Sequence, residues 1–350
     1  MSTSDLPIEN QPLYPLRFAP IYKDYLWGGE RLRTRFGRSL PKDRIAESWE
    51  IADHPHGESV VLNGPLRGRT LNALVRARRE SILGAAVAAR YKGERFPLII
   101  KYLDAKLPLS VQVHPDDETA AAMNLDDGGK AEAWIIVDAA PGSKLWLGTD
   151  RNYSQAELEE IIHSGKLEHC LHSVPAKVGD CFFLPPGTLH ALGAGIMVVE
   201  IQTNSDLTFR VFDWNRVSPD GQPRELKIAE ALRSLRFPCQ PVAAQSSFPS
   251  DHRHCERLLI GERFTLNRWT LAESIIWNND GRSHLWTVLE GTTAAIFNAG
   301  RRVATQEREG DPDAIEVLHE GDSILVPAVC PSLRWTVESG RAVLLEVIVT

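Results

Sequence analysis

Four polar residues lie on three separate apolar stretches of the sequence, and their types are those that bind divalent metal ions. Gln112 and His114 alternate along one stretch, so both side chains point to the same face of a strand. Glu132 precedes a second stretch, and His190 follows a Pro-Pro-Gly turn. Two imidazoles, a carboxylate and an amide oxygen can hold a metal ion and leave positions open for a substrate. Either histidine alone would more simply be a turn or core residue, but the joint set favours a metal site.

Three basic residues stand near these positions or interrupt apolar strand patterns. Lys130 lies two residues before Glu132 and shares its face if the chain is extended there, whereas Lys101 and Arg210 each lie within a run of large apolar residues. A charge in such a run is costly unless it faces a wet cavity or an opposite charge. Three cations facing one pocket would suit an anionic substrate such as a phosphate ester. A solvated barrel face or a structural ion pair is the alternative, and it stays open for Lys101.

The elements that must position these residues are mostly strands. Short β-branched or aromatic segments bounded by Gly, Pro, Asn or Asp predict strands at 59–62, 97–103, 109–113, 133–137, 181–184 and 196–201. Helical patterns are fewer. Thr70 is positioned to cap one helix, and the sequence from Ser154 to Glu157 is a capping box that opens a helix over 156–162. Residues 225–235 predict a third helix.

An internal repeat organises the chain. Residues 178–185 match residues 320–327, each with Gly-Asp, an apolar strand and then Pro, and the segment that begins at Glu132 has a looser match at His284. Although Gly-Asp turns are common, the paired match predicts two β-barrels related by duplication. The second repeat has Ser332 where the first has His190, so we expect a barrel without metal and a surface or core role for His284. The predicted division is a catalytic barrel with helical insertions over 1–237, a proline-rich linker over 238–254 and a degenerate barrel over 255–350.

Composition excludes several classes of protein. The chain has 350 residues, 43% of them hydrophobic and 24% charged, which excludes a disordered chain, a collagen-like repeat or a disulfide miniprotein. A net charge of −7 makes it a poor binder of nucleic acid or anionic membranes. Five scattered cysteines without a C-x-x-C pair, and a polar N-terminal segment, predict a reduced, cytoplasmic protein.

The Q-x-H pair, Glu132 and the P-x-G-x-x-H sequence that ends at His190 resemble the two motifs of the cupin superfamily, with Gln112 in place of a histidine. Over residues 16–237 the chain more specifically resembles the short bacterial type I mannose-6-phosphate isomerases, also called phosphomannose isomerases. The residues that carry this resemblance are Tyr25-Leu26-Trp27-Gly28-Gly29, Glu47-Ser48-Trp49-Glu50, 96–101, 109–117, 129–134, 179–191 and 200–214. The resemblance implies a mainly β fold of two cupin-type (jelly-roll) barrels.

The resemblance also implies an activity and a set of site residues. The family interconverts mannose 6-phosphate and fructose 6-phosphate with one zinc ion per chain. The implied zinc ligands are Gln112, His114, Glu132 and His190, the implied catalytic residues are Lys130, Arg210 and Asp206, and the implied substrate-binding residues are Lys101, Ser110 and Glu200. An aldose–ketose isomerase moves a proton between C2 and C1 through a cis-enediol, and Lys130 is the favoured base, with His114 or a metal-bound water as rivals. Asp206 could orient Arg210 or assist ring opening.

Three alternatives stay open at this point. The chain could isomerise another sugar or phosphosugar, since Ala131 stands where relatives often have Thr or Pro. It could be an iron-dependent cupin dioxygenase, although Gln112 and the nearby cations argue against that. It could be a sugar-binding bicupin without activity, although such a protein would need neither Lys130 nor a full ligand set. The oligomeric state is open, with a monomer one option, and the expected partner is a small phosphosugar rather than nucleic acid or a membrane.

Overall fold

Antiparallel strands dominate the structure, as the sequence predicts. The computed structural model describes residues 7–217, 221–297, 314–337 and 340–350. Its strands are β1 (Leu16–Arg17), β2 (Ile21–Lys23), β3 (Glu47–Ile51), β4 (Asp53–His54), β5 (Gly57–Glu58), β6 (Leu98–Ala105), β7 (Val111–Val113), β8 (Glu132–Ala139), β9 (Lys144–Thr149), β10 (Leu171–Pro175), β11 (Cys181–Leu184), β12 (His190–Ala191), β13 (Ile196–Thr203), β14 (Phe209–Phe212), β15 (Phe248–Pro249), β16 (Cys255–Ile260), β17 (Phe264–Leu271), β18 (Ile275–Asn278), β19 (His284–Glu290), β20 (Thr292–Phe297), β21 (Ala314–His319), β22 (Ser323–Val326), β23 (Ser332–Thr336) and β24 (Ala342–Val349).

The helices are short, and two predicted helix starts are confirmed. Thr70 Oγ1 accepts a hydrogen bond from the Ala73 amide at 3.2 Å, and Ser154 and Glu157 form the predicted capping box. The helices are α1 (Arg31–Thr34), α2 (Leu71–Leu83), α3 (Ala85–Arg90), α4 (Asp117–Ala122), α5 (Gln155–His163) and α6 (Ile228–Ser234), with 3-10 turns at Ile8–Asn10 and Leu167–Cys170.

Two element predictions need correction. The third helix begins at Ile228 rather than at 225, because the Lys227 amide donates to the Arg210 carbonyl and ties this segment to β14. The predicted strand at 59–62 forms only isolated bridges, at Val60 and Val61. Both segments have the right apolar pattern, but backbone contacts with neighbouring segments decide their conformation.

The chain divides into two compact units. The first unit comprises residues 22–48 and 99–245, and the second comprises the described parts of 1–21, 49–98 and 246–350. The predicted boundaries at 237 and 255 remain a prediction. In the structure, residues 49–98 belong to the same unit as the C-terminal barrel. Residues 238–245 belong to the first unit, where the Val242 amide donates to the Leu147 carbonyl.

The first unit contains two facing sheets with a core between them. Four strands of one sheet lie in the order β11-β8-β13-β6, and the other sheet has the order β10-β9-β12-β7-β14. Trp134, Phe182 and Leu147 are fully buried in the core cluster shared by these strands. A second apolar cluster lies around α5 and α6 and includes Val111 and Val113, so one face of β7 is buried, whereas Gln112 on the opposite face is half-buried. This burial fixes β7 and β8, the strands that carry the predicted metal ligands.

The second unit has a seven-stranded sheet, β1-β22-β19-β24-β17-β16-β15, and a four-stranded sheet, β18-β23-β20-β21. Its strand registers confirm the predicted repeat. Leu184 lies opposite Glu132 in the first unit, and Val326 lies opposite His284 in the second. His284 is buried, with Nδ1 2.8 Å from Glu346, so of the two predicted roles, surface or core, the structure shows the core role.

Candidate metal centre and active site

Strand pairing brings the four predicted metal ligands to one end of the first barrel. Gln112, in the middle of β7, lies opposite His190 of β12 on one side and Arg210 of β14 on the other. His114 directly follows β7, and Glu132 is the first residue of β8. Residues about 20 to 80 positions apart in the chain therefore meet through antiparallel register, as the alternation of Gln112 and His114 predicts.

The two histidines and Glu132 form a tight buried cluster. His114 Nε2 lies 3.4 Å from Glu132 Oε2, and His190 Nε2 lies 3.2 Å from Glu132 Oε1. The Gln112 amide reaches His190 Nε2 at 3.2 Å, and rotating the amide by half a turn presents its oxygen at the same place. His114, Glu132 and His190 form a group that could hold a metal ion, with the Gln112 amide as a fourth candidate ligand.

Backbone carbonyls fix the orientation of both imidazoles. His114 Nδ1 lies 2.7 Å from the Leu207 carbonyl oxygen, and His190 Nδ1 lies 2.9 Å from the Thr188 carbonyl oxygen. A carbonyl only accepts hydrogen bonds, so each Nδ1 is the protonated nitrogen. Each Nε2 is left with a lone pair directed at the cluster, which is the arrangement of a metal-ligating histidine.

The protonation states also suit metal binding. Burial, with the charge of Lys130 nearby, lowers the pKa of His114 to about 3, and burial lowers the pKa of His190, so both rings are neutral near pH 7. Burial alone would raise the pKa of Glu132, but the nearby charge of Lys130 holds it well below its usual range. Neither carboxylate oxygen of Glu132 has a hydrogen-bond partner of good geometry. A buried anion with spare acceptor capacity between two neutral imidazoles fits a divalent cation.

Two buried lysines extend the cluster into a charged network. Lys130 Nζ lies 2.7 Å from Glu132 Oε2 and 3.4 Å from Glu200 Oε1. Lys101 Nζ lies 3.3 Å from Glu200 Oε1 and 3.5 Å from Glu47 Oε2. Burial opposes the charge on each lysine, but the carboxylates raise the pKa of both. Lys101 thus forms a buried ion pair rather than part of a solvated barrel face.

Arg210 and Asp206 are half-buried, whereas Ser110, which contacts Arg210, is buried. Arg210 Nε donates to Ser110 Oγ at 3.2 Å, and Nη1 donates to the Glu225 carbonyl at 3.1 Å. Burial, with Arg224 nearby, lowers the pKa of Arg210. These contacts, rather than Asp206, orient the guanidinium. Asp206 is held through its own amide, which donates to the Asp127 carboxylate at 2.8 Å.

Two residues near the network carry no predicted role. Glu47 contacts Lys101, and Tyr25 has a pKa raised to about 12 by burial and by the charges of Glu47 and Asp206. Both belong to segments that carry the family resemblance. A single carboxylate or phenol has no spacing signature, so the resemblance is the only sequence signal that could have identified them.

Paired antiparallel sheets and a buried His/Glu/His cluster define the chain as a cupin-type protein with a candidate metal centre. Residues 16–133 match the family described as phosphomannose isomerase type I, catalytic domain. A mannose-6-phosphate isomerase of Streptococcus mutans is 35% identical over 89% of this chain and 91% of its own length. Mannose-6-phosphate isomerase ManA of Bacillus subtilis is 35% identical over 79% of this chain and 86% of its own length.

The solved structures agree with these sequence relatives. A crystal structure of mannose 6-phosphate isomerase from Bacillus subtilis matches with a TM-score of 0.83 and 32% identity, covering 96% of this chain and 99% of that one. The chain therefore belongs to the type I phosphomannose isomerase family and is an isomerase. Among the described residues, no helix is both long and apolar enough to cross a membrane.

Proposed function

We propose that this chain is a zinc-dependent isomerase that interconverts mannose 6-phosphate and fructose 6-phosphate through a cis-enediol. The observation that carries the proposal is the buried cluster of His114, Glu132 and His190 beside Lys130. The names of two relatives support mannose 6-phosphate as the substrate, since both are called mannose-6-phosphate isomerase and are similar over 79% and 89% of this chain. An isomerase that acts on another sugar or phosphosugar is the second candidate, because the same cluster would serve it.

One zinc ion per chain would be held by Gln112, His114, Glu132 and His190. When bound, it supplies a Lewis acid that polarises substrate oxygens and stabilises negative charge. The donor set of two imidazoles, one carboxylate and one amide oxygen is compatible with zinc, and the neutral histidines are ready to bind it near pH 7.

Lys130 is the proposed base that moves a proton between C2 and C1 of the substrate. Its Nζ is buried and lies 3.3 Å from His114 Nε2, so it borders the candidate metal position. The Glu132 and Glu200 carboxylates raise the pKa of Lys130 despite its burial, and a dication at this position would act in the opposite direction. His114 is the weaker candidate, because its Nδ1 proton is committed to the Leu207 carbonyl.

The remaining residues divide the recognition of the substrate. Arg210 and Ser110, which are hydrogen-bonded to each other, would bind the phosphate or stabilise the enediolate. Lys101 and Glu200 form a buried ion pair and would bind sugar hydroxyls. Asp206 would assist ring opening. We also propose a cytoplasmic location, since all five cysteines are free thiols.

The test is a coupled assay of fructose 6-phosphate formation from mannose 6-phosphate, with zinc-loaded and chelated protein. Turnover that is lost on chelation and restored by zinc is the expected result. His190→Ala should lose zinc and turnover, whereas His163→Ala, an exposed histidine on α5, should lose neither. Zinc binding without turnover of mannose 6-phosphate would refute the substrate but keep the site, and free mannose and other aldose phosphates would then be assayed.

A further inference from the structure

Two loops of the first unit, residues 127–131 and 203–207, are joined by side-chain hydrogen bonds that we call the loop contact. The Ser205 hydroxyl is at its centre and is fully buried. Its Oγ donates to the Gly128 carbonyl at 2.7 Å and accepts from the Leu207 amide at 3.3 Å. One hydroxyl thus bridges the two loops and also fixes the backbone within the second.

Two further side chains complete the loop contact. Thr203 Oγ1 donates to the Gly129 carbonyl at 2.9 Å and accepts from the Ala131 amide at 3.1 Å. Asp127 accepts from the Asp206 amide at 2.8 Å. Each of these hydrogen bonds joins a side-chain atom to a backbone atom. The loop contact therefore fixes the backbone path of both loops and not only the conformation of single side chains.

The loops joined in this way carry residues of the candidate site. The first loop contains Lys130 and leads into Glu132. The second contains Asp206 and Leu207, whose carbonyl oxygen lies 2.7 Å from His114 Nδ1. A displacement of the second loop would therefore move both a carboxylate of the site and the carbonyl that orients an imidazole.

We propose that Ser205 and Thr203 are positioning residues that hold the Leu207 carbonyl in place and thereby orient His114 for metal binding. The inference rests on the proposed function for its kinetic consequences, but not for its effect on metal affinity. Loss of a group that orients a metal-ligating histidine typically lowers metal affinity or activity by about 10- to 100-fold. Neither hydroxyl touches substrate or metal in this proposal.

The test is zinc affinity, measured by competition with a chromophoric chelator and without substrate. Ser205→Ala should bind zinc about 10-fold more weakly than the wild type, at the lower end of that range because the Leu207 carbonyl itself remains. The control is Ser234→Ala in α6, a buried serine whose Oγ donates to the Glu230 carbonyl at 2.8 Å away from the loops. It should keep wild-type affinity. In the isomerase assay, kcat of Ser205→Ala should fall while KM for mannose 6-phosphate changes little.

Two variants at Thr203 test the same inference if Ser205→Ala does not fold. Thr203→Val removes the hydroxyl at nearly constant volume and should weaken zinc binding, whereas Thr203→Ser keeps the hydroxyl and should restore it. Folded Ser205→Ala, or folded Thr203→Val, that binds zinc within about twofold of wild type overturns the inference. Weakened zinc binding in protein that never isomerises mannose 6-phosphate would instead support the inference and refute the proposed function.

Discussion

Replacing Lys101 by Met tests whether the buried charge network contributes to stability. The ammonium group lies between Glu200 Oε1, at 3.3 Å, and Glu47 Oε2, at 3.5 Å, and only 4% of the residue is exposed. Its removal leaves two carboxylates without this cation. Breaking a buried ion pair by removing one partner lowers the free energy of unfolding by about 3 to 5 kcal/mol.

The lower end of that range applies here, because Glu200 keeps two other partners. Lys130 Nζ lies 3.4 Å from Glu200 Oε1, and the Trp134 indole donates to Oε2 at 3.0 Å. A loss of about 3 kcal/mol in the free energy of unfolding lowers the thermal unfolding midpoint of a unit of this size by about 6 to 12 °C. The measurement is differential scanning calorimetry of metal-free protein. The unfolding transition of the first unit is identified in a parallel scan as the one that added zinc shifts to higher temperature, because zinc stabilises the unit that binds it.

A matched control and a pH arm complete the test. Lys106→Met removes an exposed lysine 3.7 Å from Glu30 and should change stability by less than about 0.5 kcal/mol. Burial, with the Glu132 charge, raises the pKa of Glu200 in the folded chain, so its protonation at lower pH favours folding. The deficit of Lys101→Met should therefore shrink from pH 8 to pH 5. A deficit equal to that of Lys106→Met at pH 8 would refute the reasoning.

Two further predictions concern a proton carrier and a buried histidine. Lys130→Met should lower kcat by about 10²- to 10⁴-fold while zinc remains bound, as measured by turnover and metal content, and unchanged turnover would exclude Lys130 as the base. Hydrogen bonds from His284 to Asp280 and Glu346 raise its pKa above 6.5 despite burial, so it stabilises the fold fully below about pH 6.5 and less as pH rises through the folded-state pKa. Thermal unfolding of His284→Gln should therefore show a larger deficit at pH 5.5 than at pH 9, and an equal deficit would contradict a charged His284.

The parts that sequence could predict are those with a residue-type signature. The alternation of Gln112 and His114 indicated a strand face, and the Ser154–Glu157 spacing indicated a capping box, because both depend on local periodicity. The loop contact has no such signature, because one partner in each of its hydrogen bonds is a backbone amide or carbonyl, which nearly every residue type supplies. The predicted start of α6 is wrong for a similar reason. A backbone hydrogen bond from the Lys227 amide determines where this helix begins, and a backbone amide has no residue-type signature.

The repeat gives an internal comparison of what the fold does and does not determine. Trp134 lies opposite Glu200 in the first unit, and Trp286 lies opposite Glu346 in the second, so these two carboxylates occupy matching strand positions. In the second unit Glu346 is saturated by hydrogen bonds from Asn267 Nδ2, Trp269 Nε1 and His284 Nδ1, each at 2.8 Å. That arrangement is complete without a ligand and serves the core.

The first unit leaves the corresponding capacity open. Glu132, which matches His284 in the repeat, has no hydrogen-bond donor of good geometry for either oxygen, and Glu200 Oε1 likewise has none. Because buried acceptors are nearly always satisfied, this spare capacity in one barrel and its absence around Glu346 in the other cannot follow from the shared fold. It follows from the replacement of a few side chains, and it supports the proposal that the first barrel binds a metal ion and a polar substrate.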